Sequence, residues 1–183
     1  TSCGVKQVAG GCATPAPTNT PLVADDSTIR TAVALWFSDN AAAMSTYGPI
    51  SKWDTSGVTD MEELFCGASW CDNTAAASFN EDISGWVVDS VTTMSDMFEG
   101  ASAFDQDISG WVVDSVTSMA DMFEGASAFD QDLGWCVDDN MSMGGAFGGT
   151  QCASTFCGVS WGGCDRLSTL PSNGNVMANG KIR

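Results

Sequence analysis

A repeat of 25 residues governs what this chain can fold into. Residues 79–103 and 104–128 differ at only four positions: Asn80/Asp105, Glu81/Gln106, Thr93/Ser118 and Ser95/Ala120. A third copy starts at Phe129 and keeps Trp135, Met143 and Phe147 after a one-residue deletion. A diverged earlier copy runs from Ile50 through Trp53, Val58, Thr59, Met61 and Phe65, and takes an eight-residue insertion containing Cys71 before Phe79. One unit is too short to bury its own Phe, Met and Trp, whereas copies laid on copies can. Three internal rows are therefore expected: Phe65/Phe98/Phe123/Phe147, Met61/Met94/Met119/Met143 and Trp53/Trp86/Trp111/Trp135. These rows read as core packing rather than as a cofactor platform.

Each unit has two textures. Met94, Met97, Phe98 and Ala101 fall at i, i+3, i+4 and i+7, the spacing of one helical face. Thr92 or Thr93 is placed to cap such a helix, Asp96 lies in its first turn and Gly100 is placed to end it. The stretches Ile83 to Val88 and Ser90 to Thr92 lean towards strand. The expected class is α/β: a short leucine-rich-repeat-like solenoid with an N-terminal capping helix and disulfide-stapled ends. In detail, 1–12 reads as the tail of a preceding block or a disulfide loop, and 13–25 as a Pro/Thr linker. Residues 26–49 read as a cap helix and lead-in, 50–150 as four repeats, and 151–183 as a Cys-rich cap and tail. The cap helix is placed by Asp26, Ser27 and Thr28 followed by Ile29, Ala32, Val33 and Trp36.

Charge removes whole classes of partner. The chain has 23 acidic and 6 basic residues and no histidine, and between Lys52 and Arg166 there is no Lys or Arg at all. Such a surface repels nucleic-acid phosphates and anionic lipid. It suits solvation, cations or basic proteins. The apolar runs are too short to span a bilayer. The chain opens on Thr1, which reads as a processed form or a piece of something longer.

The eight cysteines lack both histidine and a C-x-x-C pair, so disulfides fit better than zinc, and with them an extracellular or cell-surface setting. Residues 3–12 and 157–164 both read C-G-V, a short insert, then G-G-C. That echo, and the local nature of the insertion, suggest the pairs Cys3–Cys12, Cys66–Cys71, Cys136–Cys152 and Cys157–Cys164, with a bridge to a neighbouring chain left open. Asn140, Met141 and Ser142 form an N-glycosylation sequon at Asn140.

Trp53, Asp54, Ser56, Val58, Thr59, Met61 and Phe65, followed by Phe79, Asn80, Asp82, Ile83, Ser84 and Trp86, resemble the BspA-like repeat family in register as well as composition. The likeness covers roughly residues 28–164 and is closest to the algal and protist type. It departs at Val87 and Val88 and at the Cys66–Cys71 insertion. The resemblance implies a surface protein for adhesion or assembly, without a defined ligand.

Acidic residues recur in register at Asp82/Asp107/Asp132, Asn80/Asp105/Asp130 and Asp89/Asp114/Asp138. Neighbouring copies roughly 4.8 Å apart would set like charges against each other. At an effective dielectric of ~20 each such pair costs on the order of 3 kcal/mol. Calcium held by Asp82, Asp107, Asp132, Asp105 and Asp130 would relieve this, as would carboxylates that cap backbone N–H groups. The rows repeat with the fold, whereas a catalytic pair is a single constellation. With no histidine base and no phosphate loop, no enzymatic chemistry is expected. The reading is a non-enzymatic structural or assembly module of a surface coat, filament or hair-like fibre. Its expected partners are copies of itself or related repeat proteins, and the alternative is a calcium-dependent adhesion or ligand-binding surface module. No cofactor is expected beyond that calcium.

Overall fold

The structure is a computed structural model that describes residues 21–162. Its regular elements begin with helix α1 (Asp26–Ser38). The Asp25 carboxylate accepts the N–H groups of Ser27 and Thr28, and the Thr28 hydroxyl accepts the N–H of Asp25 at 2.8 Å. This reciprocal arrangement satisfies the first orphan donors of the helix. α1 buries Ile29, Ala32, Val33 and Trp36, one face at i, i+3, i+4 and i+7. Helix α2 (Asn40–Tyr47) starts on the Asp39 side chain, which accepts the Ala42 N–H, and ends at Gly48 with φ 70°.

Beyond α2 the expected α/β class and leucine-rich-repeat-like solenoid are overturned. The described residues hold only α1, α2, three short 3-10 turns and one two-stranded parallel sheet, β1 (Cys136–Val137) with β2 (Ser160–Trp161). The rest is irregular turn: the helix expected within the repeat does not form, and of the expected strands only β1, in the last copy, appears among the described residues. Residues 94–101 are a chain of tight turns. The reason lies in the backbone. Asp96 has φ 58° and Gly100 φ 66°, and left-handed residues break a helix. Alternate amides then point out of the turn: the N–H groups of Met94, Asp96, Phe98 and Gly100 donate to the carbonyls of Ser118, Ala120, Met122 and Glu124 in the next copy. Those of Met97, Glu99 and Ala101 close i, i+3 turns within the copy. Met94, Met97, Phe98 and Ala101 all still face inwards, so the helical spacing is met without a helix.

Successive copies are held by this N–H to carbonyl pattern, with isolated parallel bridges Asp60↔Thr93, Thr93↔Ser118 and Ser118↔Ser142. Where Val87 follows Thr55, the buried threonine hydroxyl replaces the backbone: it donates to the Val87 carbonyl at 2.8 Å and accepts the Val87 N–H at 2.9 Å. The core is aromatic. Phe65, Phe98, Phe123 and Phe147 stack with centroids 5.4 to 5.7 Å apart. A second column, Phe79, Phe104 and Phe129, lies against the first at 4.0 to 4.3 Å. Of the methionine row, Met61, Met94 and Met119 are buried and Met143 only partly. Three indole N–H groups find carbonyls: Trp53 on Gly48, Trp86 on Ile50 and Trp111 on Ile83. The Trp135 indole N–H is buried without a partner. Its copy is the one with the one-residue deletion.

α1 closes the first copy with both aromatics and charges. Trp36 meets Trp53 edge-on at 5.8 Å, and Phe37 meets Phe65 and Phe79 edge-on. The Asp26 carboxylate accepts the N–H groups of Thr59 (2.6 Å) and Asp60 (3.1 Å) and the Thr59 hydroxyl (2.8 Å). Arg30 donates to the Glu62 carbonyl at 2.7 Å and pairs with Asp60. One side chain thus supplies an acceptor and one a donor to an edge that no copy covers. Asp26→Ala is expected to cost about 1–3 kcal/mol in urea unfolding. A loss no larger than that of an exposed control such as Ser38→Ala would show that α1 is held by packing alone.

The disulfides also correct the sequence reading. Cys66 pairs with Cys71 and pins the insertion. Cys152 pairs with Cys157, with Cα atoms 4.8 Å apart, across the short turn Ala153–Gly158. The expected Cys136–Cys152 and Cys157–Cys164 pairs are thereby replaced, because a tight turn brings the nearer cysteines together. Cys136 is disulfide-bonded too. The proposed Cys3–Cys12 pair, Cys164 and the 1–12 block lie outside the described residues.

Candidate functional site

Of the five residues expected to hold calcium, Asp82, Asp105 and Asp107 are bonded to backbone or to neighbouring side chains. The Asp82 carboxylate accepts the Ser84 hydroxyl at 2.7 Å and the Ser84 N–H at 3.0 Å. These two bonds hold its pKa below the ordinary value. Asp107 accepts the Ser109 N–H at 3.0 Å, and its pKa is lowered by the Ser109 hydroxyl and N–H in the same way. Asp132 has Gly134 where those copies have serine, and its carboxylate lies over the Gly158 backbone at φ 78°. The second row forms a ladder across copies. The Asn80 side-chain oxygen accepts the Asp105 N–H at 2.9 Å, and the Asp105 carboxylate accepts the Asp130 N–H at 3.0 Å. Gln106 and Gln131 amides brace the same oxygens. Asp130 is exposed at the end of that row.

The carboxylates that converge are others. Glu63, Asp96 and Asp121 occupy equivalent positions, all with φ between 54° and 58°. One oxygen from each of Glu62, Glu63 and Asp96 lies within 4.8 Å of the others. Burial raises the Asp96 pKa to about 6, helped by a hydrogen bond with Glu99 and by the charges of Glu99, Asp121 and Glu62. The Glu124 pKa is raised by its hydrogen bond with Asp121 and by that residue's charge. Sequence reasoning assigned Asp96 to a helical first turn and so passed over the ridge. The available signal was the acidic residue two places after each of Met61, Met94 and Met119.

These shifts set a pH dependence. Asp96 binds its proton more tightly folded than unfolded, so stability rises as pH falls through about 6 and is fully gained below 3.8. Asp25 is held at about 2 by its bonds to Thr28 and Ser27, so its contribution exists above 3.8 and is lost as pH falls towards 2. The melting temperature is expected to peak near pH 4, and Asp96→Asn should flatten the rise between pH 7 and 4. A midpoint that falls steadily from pH 7 downwards would contradict this.

The outer surface carries apolar groups among the acids. Trp70, in the insertion, is 56% exposed and donates its indole N–H to Glu99 at 3.0 Å. Val87 and Val112 are exposed at equivalent positions. Phe156 and Trp161 meet edge-on at 5.1 Å and are both exposed. Asn140 is exposed, with its amide on Asp138 at 2.9 Å. An indentation between α1 and the insertion, lined by Arg30, Leu64, Cys66 and Cys71 among others, holds only ≈ 240 Å³. That is below the ~300–1,000 Å³ usual for small-ligand sites.

A family model described as "Mycoplasma protein of unknown function, DUF285" matches residues 31–156, from inside α1 to the Cys152–Cys157 turn. The chain belongs to this DUF285 family. The match takes in every copy of the repeat, so the aromatic columns and the acidic ridge lie within the family's extent. No curated protein and no solved structure matches the chain. Among the described residues of this DUF285 protein, no helix is long and apolar enough to cross a membrane.

Proposed function

We propose that this DUF285 chain is a non-enzymatic structural module of an extracellular or cell-surface assembly, working through protein–protein contacts with copies of itself or related repeat proteins. One observation carries the reading. Recurring carboxylates of the repeat are bonded to backbone or to neighbouring side chains, as at Asp82, Asp105 and Asp107. What the surface offers a partner is acid interspersed with Trp70, Val87, Val112, Phe156 and Trp161. Exposed tryptophan and aromatic pairs are typical anchors of protein contacts. The disulfides support an oxidising compartment, and the BspA-like resemblance supports a surface role.

The test is the oligomeric state of the native material, by sedimentation and electron microscopy. Assemblies in which copies touch are expected, weakened at least tenfold by Trp70→Ser or Trp161→Ser. A monodisperse monomer at high concentration would sink the reading. Because Asp82, Asp105 and Asp107 are already bonded, melting with calcium or with chelator should give the same midpoint. A shift of several degrees would favour calcium-dependent adhesion instead.

A further inference from the structure

Each copy has a residue three places before its first inward methionine: Val91 before Met94, Val116 before Met119 and Asn140 before Met143. Val91 and Val116 are buried, and their N–H groups close turns on Val88 and Val113. Asparagine does not take that place. An amide sunk in an apolar core without a partner is costly. The last copy avoids this by closing its turn one residue later, with Met141 donating to Asp138. Asn140 is thereby left exposed. The exchange of valine for asparagine is what makes the sequon, because the hydroxyl two places on belongs to the repeat itself, as Thr93, Ser118 and Ser142.

The local geometry holds the acceptor triplet at the surface. The main-chain N–H and the side-chain amide of Asn140 both donate to Asp138 Oδ1 at 2.9 Å. Ser142 is exposed, and only its backbone enters the ladder, donating to the Thr117 carbonyl and accepting the Met119 N–H. The two residues that a glycosyl acceptor triplet requires are therefore both open to solvent. Beside them lies a shallow indentation of ≈ 210 Å³. It is lined by the apolar Val113, Val116, Val137 and Met141 and by the acidic Asp114 and Asp138. It is smaller than an ordinary small-ligand site. Its mixture suits one sugar ring, which lays its C–H face on aliphatic groups and turns its hydroxyls towards carboxylates, acceptors when ionised.

We propose that Asn140 carries an N-linked glycan whose first sugar lies over this indentation. The inference rests on the extracellular reading and adds a modification site to it. In the transfer, Asn140 Nδ2 forms a bond to the anomeric carbon of an oligosaccharide carried on a lipid pyrophosphate. The bond from that carbon to the pyrophosphate oxygen breaks, the lipid pyrophosphate leaves with the electron pair, and one amide proton passes to a base of the transferase. The second Nδ2 proton stays in place and keeps the bond to Asp138, so the glycan costs the turn none of its hydrogen bonds.

Peptide mapping of the native protein by mass spectrometry tests it. The peptide containing Asn140 is expected to carry sugar in most molecules, and peptide N-glycosidase should release it and leave an aspartate in its place. In the full chain secreted from eukaryotic cells, Asn140→Gln and Ser142→Ala should each lose the glycan outright, while Ser142→Thr, which keeps the hydroxyl, should retain it. Nuclear Overhauser contacts from the first sugar to the side chains of Val113 and Met141 are expected, and their absence would overturn its placement over the indentation. An unmodified Asn140 in the native protein would overturn the proposal, and so would a glycan that survives Ser142→Ala. The same digest reads the cysteines. Bridged Cys66 and Cys71 beside a bare Asn140 would remove the glycan alone, whereas reduced cysteines would sink the extracellular reading and the glycan with it.

Discussion

Phe98→Ala is expected to destabilise the protein by about 3–5 kcal/mol, the largest effect of any single truncation proposed here. Phe98 is fully buried, and its ring is sandwiched on three sides. Phe104 lies at 4.0 Å, Phe65 at 5.5 Å and Phe123 at 5.4 Å, all nearly parallel. Alanine removes the transfer free energy of the ring and leaves a cavity bounded by three rigid rings. Those rings resist closing in, because their backbones are fixed: Phe65 donates to Met97 and Phe123 to Ala146 in the following copies, and Phe104 closes a turn on Ala101 in its own. Phe147→Ala, at the end of the column with a single stacked neighbour, should cost clearly less. Equal losses at the two positions, measured by denaturant unfolding, would mean that the column relaxes as a unit. A loss below about 1.5 kcal/mol at Phe98 would show that it is not the core.

That contrast between middle and end also separates what could be read from the sequence from what could not. The inward residues were legible because repetition at a fixed offset marks them, whatever the backbone does between them. The backbone itself was not. Met94, Met97, Phe98 and Ala101 satisfy a helical spacing, yet Asp96 at φ 58° turns the chain so that the same four residues face inwards from a run of turns. Aspartate tolerates the left-handed region without demanding it, so nothing local distinguished the two. The Asp105 carboxylate was recognised as recurring, but its acceptance of the Asp130 N–H depends on the register between copies. Asp26 and Arg30 reach across more than thirty residues of chain, and no spacing rule foretells such partners. The disulfide error has the same character: Cys152 and Cys157 meet because Phe156 and Cys157 adopt φ of 51° and 49°, a kink that cysteine spacing does not encode.

Gly100→Ala is the second large effect, expected at about 2–4 kcal/mol, and it tests how closely the copies approach. Gly100 sits at φ 66°, where a side-chain-bearing residue loses roughly 1–2 kcal/mol. A methyl group there would also come within 2.6 Å of the Ala68 backbone nitrogen and 2.9 Å of its Cα. Those are main-chain atoms in the loop pinned by Cys66–Cys71, so they cannot swing aside as a flexible side chain would. Overpacking of that kind adds about 1–3 kcal/mol. Gly125 is the matched control. It has φ 73°, but an added methyl group would meet Gly100 only at 3.7 Å, ordinary contact. Gly125→Ala should therefore show the conformational cost alone, and the difference between the two variants isolates the close approach. Reducing the disulfides should shrink that difference, since the Ala68 loop is then free to yield. If Gly100→Ala and Gly125→Ala unfold at the same denaturant concentration, the insertion does not press on the second copy as the structure places it.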